Sequence, residues 1–191
     1  MSEPDSLEAW LALVDTGPLI SALQSDSLGL LVAVFGTLHT SQTCLDELVR
    51  HGWEQAIAQA GRDLAIHPLM PAERERVRIV AGQIAEHRAS RNRDVDHHLG
   101  EAEIIVLAQR DEHDSAIVLL DKVAARSIAR DVGLRVSGFA GVLLLAAQDG
   151  LLTPEQARDR LQRCQRQGTH YSDVFVERIY RAAQESTRDD R

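Results

Sequence analysis

The sequence predicts an α/β fold, a three-layer α/β/α sandwich with a central parallel sheet and extra C-terminal helices. Short apolar runs alternate with longer helical patterns, which is typical of a parallel sheet covered on both faces. Two of these runs, 11–14 and 116–120, end directly on an aspartate, Asp15 and Asp121. Ligands bind beyond the carboxyl ends of the strands in such sheets. The two aspartates therefore mark a candidate site.

The composition is that of one globular domain. The chain has 191 residues, of which 44% are hydrophobic and 26% charged, which suffices for a core. The net charge of −8 argues against nucleic-acid binding through overall charge, although carboxylates that hold a cation would contribute to it. The two cysteines, Cys44 and Cys164, lack metal-ligand spacing. With no leader and no membrane-length apolar run, we expect a cytoplasmic protein without membrane association.

Strands and helices alternate in the first half of the chain. Pro18 suits the first position of a helix, and an alternative role for Asp15 is merely to cap that helix. Ser41 or Thr43 caps the third helix, and Pro68 restricts its strand to a sheet edge. The predicted elements are a strand at 11–14, helices at 18–24 and 28–35, a strand at 37–40, helices ending near 49 and at 53–60, a strand at 64–69 and a long helix from 71.

The second half continues the alternation and ends in helices. Thr153 and Pro154 form a helix start, as cap and first residue. The predicted elements are a polar mobile loop at 88–96, a helix at 99–109, a strand at 116–120, a helix at 123–131, a strand at 134–136, and helices at 140–148, 153–167 and 172–184.

Further carboxylates are positioned to join Asp15 and Asp121. Glu47 and either Glu101 or Glu103 lie early in apolar helices and can reach the same end of the sheet. Three or four carboxylates brought together repel one another unless a cation lies among them. Hard oxygen ligands suit Mg²⁺ or Mn²⁺, and such ions support phosphodiester hydrolysis. The glycine motifs that bind nucleotides are absent.

Four short acidic motifs occur in order along the chain. They are Asp15-Thr16-Gly17-Pro18-Leu19-Ile20, Glu47-Leu48, Gly100-Glu101-Ala102-Glu103 and Leu119-Leu120-Asp121. Their order and spacing resemble PIN domains, most closely the VapC-type ribonucleases of toxin–antitoxin pairs. Later runs at 138–144, 149–152 and 168–172 are similar to one branch of that family. The resemblance covers about residues 10 to 185.

The resemblance implies a metal-dependent endoribonuclease that hydrolyses RNA phosphodiesters with Mg²⁺ or Mn²⁺. Its catalytic residues would be Asp15, Glu47, Glu103 and Asp121, with Glu101 as a further candidate metal ligand. Glu103 lies 18 residues before Asp121, as the helix-borne acid of the family does, whereas Glu101 follows the glycine of this branch. The two diverge by about 200° on a helix. We favour Glu103 and retain both.

Residues around the acidic motifs carry supporting expectations. Thr16 is expected to hold Asp15 or a metal-bound water. Lys122 departs from the family pattern, and it either contacts the scissile phosphate or weakens metal binding. The arginines of a loop at 88–93 are candidate RNA contacts, with a plain solvated loop as the alternative. The two adjacent histidines at 97–98 are expected to be a solvated loop pair. The loop arginines are Arg88, Arg91 and Arg93, and the pair is His97 and His98.

The resemblance also sets expectations for domains and partners. We expect an N-terminal tail at 1–9, a PIN-like domain at 10–152, a C-terminal helical extension at 153–185 and a disordered tail at 186–191. A toxin of this kind would bind RNA and form a homodimer. It would be inhibited by an antitoxin whose tail binds among the carboxylates at the carboxyl end of the sheet. The alternatives are a catalytically weak or inactive PIN-like interaction module, a metal-dependent phosphohydrolase acting on small phosphate esters, or a DNA nuclease.

Overall fold

Five parallel strands form the central sheet of the computed structural model, which describes residues 10–189. The expected tail at 1–9 lies outside these residues. The strands are β1 (Ala12–Val14), β2 (Leu38–Ser41), β3 (Leu64–His67), β4 (Ile117–Leu119) and β5 (Arg135–Ser137). Their order in the sheet is β3-β2-β1-β4-β5. The predicted parallel sheet and the edge position of the strand before Pro68 are confirmed.

Ten α-helices connect and cover these strands within the described residues. They are α1 (Thr16–Gln24), α2 (Leu28–Phe35), α3 (Gln42–Arg50), α4 (Glu54–Ala60), α5 (Glu73–Glu86), α6 (Leu99–Leu107), α7 (Val123–Asp131), α8 (Phe139–Gln148), α9 (Pro154–Arg166) and α10 (Asp173–Asp189). None of the helices in the described part of the chain is long and apolar enough to cross a membrane.

Successive side chains of a strand point to opposite faces of the sheet. The strands therefore contribute to two separate hydrophobic cores, one on each face. On one face Val14 and Leu119 pack with Phe139 of α8. On the other face Leu13 and Val118 pack with residues of α5, α6 and α7. Helices therefore cover both faces of the sheet, and the predicted three-layer α/β/α fold is confirmed.

The C-terminal helices complete the first of these cores. Leu161 of α9 and Ile179 of α10 belong to the same buried cluster as Phe139 and Ala22 of α1. The segment at 153–185 is thus an integral layer of the fold as well as an extension of the chain. The last helix also runs to Asp189, beyond residue 186, where we expected a disordered tail to begin. Residues 190–191 lie outside the described part.

Helix starts differ from the sequence expectations in a physically informative way. The first helix begins at Thr16, two residues before Pro18, because Asp15 itself is the N-cap. Ser41 rather than Thr43 caps α3, accepting a hydrogen bond from the N–H of Cys44. The predicted capping of α9 by Thr153 is confirmed as a full capping box with Gln156.

Candidate active site

Asp15 and Asp121 meet at the carboxyl ends of two neighbouring strands. Strands β1 and β4 pair directly, and the N–H of Asp15 donates to the carbonyl of Leu119 at 3.1 Å. Both carboxylates flank Gly17, where a Cβ atom would lie 3.6 Å from Asp15 Oδ2 and 3.9 Å from Asp121 Oδ2. Asp15 also accepts a long hydrogen bond, 3.4 Å, from the N–H of Gly17. Capping the helix and facing the site are therefore both properties of Asp15.

Glu47 approaches Asp15 across Gly100. A Cβ atom at Gly100 would lie 3.5 Å from Asp15 Oδ1 and 3.6 Å from Glu47 Oε2. The missing side chain of Gly100 thus leaves a gap between the two carboxylates. The hydroxyl of Thr16 donates to Glu47 Oε2 at 2.7 Å. Thr16 therefore holds Glu47, whereas the sequence led us to expect it beside Asp15 or a water.

The two glutamates of α6 point to different partners. Glu101 is buried and forms an ion pair with Lys122, and the Nδ1 atom of His98 lies 3.9 Å from its carboxylate. Glu103 instead accepts a hydrogen bond of 2.7 Å from the hydroxyl of Thr43. The negative charge of Glu101 helps to raise the pKa of Asp15. The structure thus places the charge of Glu101 beside Asp15 and ties Glu103 to α3 through Thr43.

Burial and a neighbouring charge make Asp15 reluctant to ionise. Desolvation, followed by the negative charges of Glu101 and Glu47, raises the pKa of Asp15 to about 8, while Lys122 and the Gly17 N–H act in the opposite direction. A buried carboxylate beside other carboxylates binds a proton or another cation. The acidic cluster of Asp15, Glu47 and Glu101 therefore favours the binding of a proton or another cation.

Lys122 supplies part of that charge. Burial lowers the pKa of Lys122, but Glu101, Asp15 and Glu47 together raise it above its ordinary value. The ammonium group is therefore charged at neutral pH, and its side chain is half exposed. Lys122 lies at the boundary between the buried carboxylates and solvent.

Asp121 is held by groups that follow it in the chain. Its Oδ1 atom accepts from the N–H of Phe139 at 3.0 Å and its Oδ2 atom from the hydroxyl of Tyr171 at 3.3 Å. Burial raises the pKa of Asp121, while these two hydrogen bonds and the charge of Arg126 lower it. Asp121 thus caps α8, whereas α7, which directly follows it, has Lys122 as its N-cap. A Cβ atom at Gly138 would lie 2.7 Å from Asp121 Oδ1, so only glycine fits there.

Tyr171 is a site residue that the sequence did not reveal. Its hydroxyl also lies 3.1 Å from that of Ser21, so it bridges α1 and Asp121. Nothing in its immediate sequence distinguishes it from a packing residue, although 168–172 belongs to a run that resembles one branch of the PIN family.

An open cleft borders the acidic cluster. Its volume is about 550 Å³. Basic groups that sequence reasoning did not single out, Arg50 and His51 at the end of α3, contribute to its wall. The lining residues are Glu47, Arg50, His51, Asp94, Asp96, His97 and Lys122.

The loop arginines lie outside this lining. Arg88 and Arg91 are exposed, and Arg93 donates to the carbonyl of Ala85 at 2.8 Å. The expectation of a solvated histidine pair is correct for His97 but wrong for His98. His98 is buried because its ring packs under the loop, with Nε2 lying 3.0 Å from the carbonyl of Asn92.

The chemistry of the donors fits a hard divalent cation such as Mg²⁺ or Mn²⁺. The cluster offers carboxylate oxygens, which these ions prefer, and the gap at Gly100 lies between two of them. The oxygens are loosely spaced, since no three carboxylates of the described residues have ligand atoms all within 4.8 Å. In this loose arrangement the ammonium group of Lys122 neutralises the carboxylate of Glu101.

Family comparison agrees with this geometry. A family model, DUF3368, described as a PIN domain, matches residues 11–185. Comparison with curated proteins and with solved structures gives no match. PIN domains are in general nucleases, a class of hydrolases, and typically use divalent metal ions. The chain belongs to the PIN-domain family and has its nuclease-type fold.

Proposed function

We propose that the protein is a metal-dependent endoribonuclease that hydrolyses RNA phosphodiester bonds. The observation that carries the proposal is that Glu47 and buried Asp15 flank the gap at Gly100, with the charge of buried Glu101 acting on Asp15, beside an open cleft. These three carboxylates and Asp121 would hold Mg²⁺ or Mn²⁺. Glu103, favoured by its spacing from Asp121, is the alternative ligand on α6.

The bound ion would activate water and stabilise the leaving oxygen of the phosphodiester. The residues of the chain prepare the site for it. Thr16 fixes the carboxylate of Glu47, and the N–H of Phe139 with the hydroxyl of Tyr171 fixes that of Asp121. Because these donors are already in place, little reorganisation accompanies binding.

Basic groups of the cleft would receive the RNA backbone. Lys122 places a charged ammonium group beside the carboxylates, where it would contact the scissile phosphate, and Arg50 offers the planar fork that suits phosphate. Single arginines at the entrance are compatible with a net charge of −8, because phosphate contacts act locally. Arg88, Arg91 and Arg93 would contact RNA only beyond the cleft.

The proposed setting is a toxin–antitoxin pair. An antitoxin tail that carries an arginine would pair with the carboxylates in the place of metal, because the cluster lacks positive charge. A second copy of the chain is the further partner we propose. Helix α2 is the surface we propose for it, since all eight of its residues are apolar or glycine and four of them, Leu28, Leu30, Val32 and Val34, are only partly buried against the core.

Cleavage of a mixed pool of structured RNAs with Mn²⁺ tests the proposal. We would compare the wild type with Asp15→Asn and with Asp46→Asn, which changes an exposed neighbour of Glu47 whose carboxylate accepts a hydrogen bond from Gln42 of α3. We expect cleavage by the wild type and by Asp46→Asn, and loss of at least about a hundredfold in Asp15→Asn. Equal cleavage by all three proteins would identify a contaminating nuclease and refute the site.

An inactive interaction module is the second candidate function, and the ion pair between Lys122 and Glu101 favours it, since an internal cation already balances one of the carboxylates. Melting temperature with and without Mn²⁺ separates the two. A rise in the wild type but not in Asp15→Asn supports the metal site. No rise and no cleavage would favour the module, while cleavage of DNA or small phosphate esters alone would favour a DNA nuclease or phosphohydrolase.

A further inference from the structure

Three histidines from distant parts of the chain converge on the face of the sheet that α5 and α6 cover. His39 lies on β2, His67 ends β3, and His113 lies in the short turn at Asp111–His113 that follows α6. One ring nitrogen from each lies within 4.8 Å of the other two. Among the described residues, no other three His, Cys, Asp or Glu side chains meet this closely.

We infer that His39, His67 and His113 form a second metal site, for a borderline transition ion of the Zn²⁺ class. Imidazole nitrogens suit Zn²⁺, Cu²⁺, Ni²⁺ and Co²⁺, whereas Mg²⁺ and Mn²⁺ prefer oxygen. Three histidines with an open fourth position is an established zinc arrangement. The site differs in ligand chemistry from the acidic cluster and requires no nuclease activity.

The hydrogen bonds of the trio prepare it for a metal. His113 is buried, and its Nδ1 atom donates to the carbonyl of Leu107 at 2.7 Å. That bond fixes the tautomer with the proton on Nδ1 and leaves the lone pair of Nε2 available to a metal. A metal-bound histidine usually donates its other ring N–H to a carbonyl or carboxylate in this way. His39 Nδ1 and His67 Nε2 lie 2.7 Å apart. Two nitrogens on a tetrahedral zinc ion lie roughly 3.3 Å apart. The rings of His39 and His67 therefore need to move apart only slightly to bind the ion.

The charges around the trio permit a cation. Burial, then the neighbouring imidazoles, lowers the pKa of His39, and burial with His113 and Arg110 lowers that of His67, and both shifts favour the neutral ring that binds a metal. Arg110 is the opposing charge, but it is neutralised by two hydrogen bonds of 2.8 Å to Glu73. Glu112 lies 3.6 Å from the same guanidinium group.

The position of the site indicates a structural role. Within residues 10–189, strand β3 is an edge of the sheet and pairs with β2 alone. A metal bound by the trio would tie β3 and β2 to the turn that leads into β4. His39 and His67 are only half-buried, so the fourth position would be open to water.

Titration with Co²⁺, a spectroscopic substitute for Zn²⁺, tests the inference on the full chain. We expect one equivalent of Co²⁺ with the strong visible absorption of a four-coordinate ion, displaced by Zn²⁺, and a higher melting temperature with Zn²⁺. His67→Gln and His39→Gln should each weaken binding at least about tenfold. Because both residues are only half-buried, we expect the variants to fold, and circular dichroism checks this.

Two matched variants separate this site from other binding. His170→Gln removes an exposed histidine, and Asp15→Asn removes the main carboxylate of the acidic cluster. Both should retain the Co²⁺ spectrum. Absence of binding in the wild type, retention of the spectrum in His67→Gln, or its loss in Asp15→Asn would each overturn the inference. None of these results depends on RNA cleavage, so failure here leaves the proposed nuclease untouched.

Discussion

The hydroxyl of Tyr171 donates a hydrogen bond to Asp121, at 3.3 Å, across 50 residues of sequence. Tyr171 lies between α9 and α10, so the C-terminal helices reach the acidic cluster through this contact. Its ring also stacks on Phe175 of α10, with ring centres 5.5 Å apart. The C-terminal layer of the fold therefore positions a site residue as well as completing the core.

Tyr171→Phe should destabilise the protein and loosen Asp121. The substitution removes hydrogen bonds to Asp121 and Ser21, so the free energy of unfolding should fall by about 1–2 kcal/mol. Mn²⁺ affinity should fall with it, because Asp121 loses one of the two donors that orient it. Urea unfolding and isothermal titration measure the two effects. Tyr180→Phe is the control, since its hydroxyl contacts exposed Glu155, and equal losses in both variants would contradict the special role of Tyr171.

Gly100→Ala should separate metal binding from stability. The new methyl group would lie 3.4–3.6 Å from Cys44, Asp15 and Glu47, which is ordinary van der Waals contact. Alanine also stabilises a helix by about 0.5–1 kcal/mol over glycine. We therefore expect a fold at least as stable as the wild type, with Mn²⁺ affinity reduced about tenfold or more because the methyl group fills the gap between two carboxylates.

The matched control for this change is Gly82→Ala in α5, where a Cβ atom would meet nothing within 4 Å. It should raise the melting temperature and leave Mn²⁺ binding unchanged. If Gly100→Ala binds Mn²⁺ as the wild type does, the ion does not lie between Asp15 and Glu47.

Lys122→Met should strengthen cation binding. The ammonium group competes with a metal for Glu101, so its removal should raise Mn²⁺ affinity by about tenfold. Without metal, the variant should lose about 1–2 kcal/mol of stability because the buried carboxylate of Glu101 is left unpaired. Lys122→Arg keeps the charge and should resemble the wild type. Unchanged or weaker Mn²⁺ binding in Lys122→Met would show that the lysine does not oppose the ion.

The sequence was sufficient for the fold because its signals are local. Each apolar run that ends on a turn residue marks one buried strand, and runs followed by Asp15 and Asp121 identify the end of the sheet where a ligand site is expected. The same signals located Glu47 through its place in an apolar helix. These predictions needed only the next few residues in each case.

The choice between Glu101 and Glu103 needed information that the sequence lacks. Eight of the nine residues of α6 are buried, including both glutamates. A helix without a polar face gives no phase from which to decide which acid faces the site. In the structure Thr43 donates a hydrogen bond to Glu103 and Lys122 pairs with Glu101, and these contacts lead us to propose Glu101 while Glu103 stays the alternative. Tyr171 and the histidine trio were missed for a related reason, because they converge from segments far apart in the chain.

The free energy of unfolding in EDTA should fall as the pH rises, because of Asp15. Its pKa of about 8 in the native state exceeds the ordinary value of 3.8, so the native protein holds a proton that the unfolded chain has released. The unfolded state binds fewer protons between about pH 4 and 8, and stability therefore declines across this window. In Asp15→Asn, which has no carboxylate to ionise, the decline should be smaller.

Urea unfolding of both proteins in EDTA, from pH 5 to pH 8, measures this difference. Near pH 8 we expect Asp15→Asn to be more stable than the wild type by about 1–3 kcal/mol, with the gap closing towards pH 5. The lowered pKa of Glu73 acts with the opposite sign, through the hydrogen bonds of Arg110, but it is common to both proteins and cancels. Asp159→Asn, a change on the surface of α9, should keep the slope of the wild type. If the free energy of unfolding depends on pH in the same way for the wild type and Asp15→Asn, Asp15 ionises freely. The acidic cluster would then not require a cation.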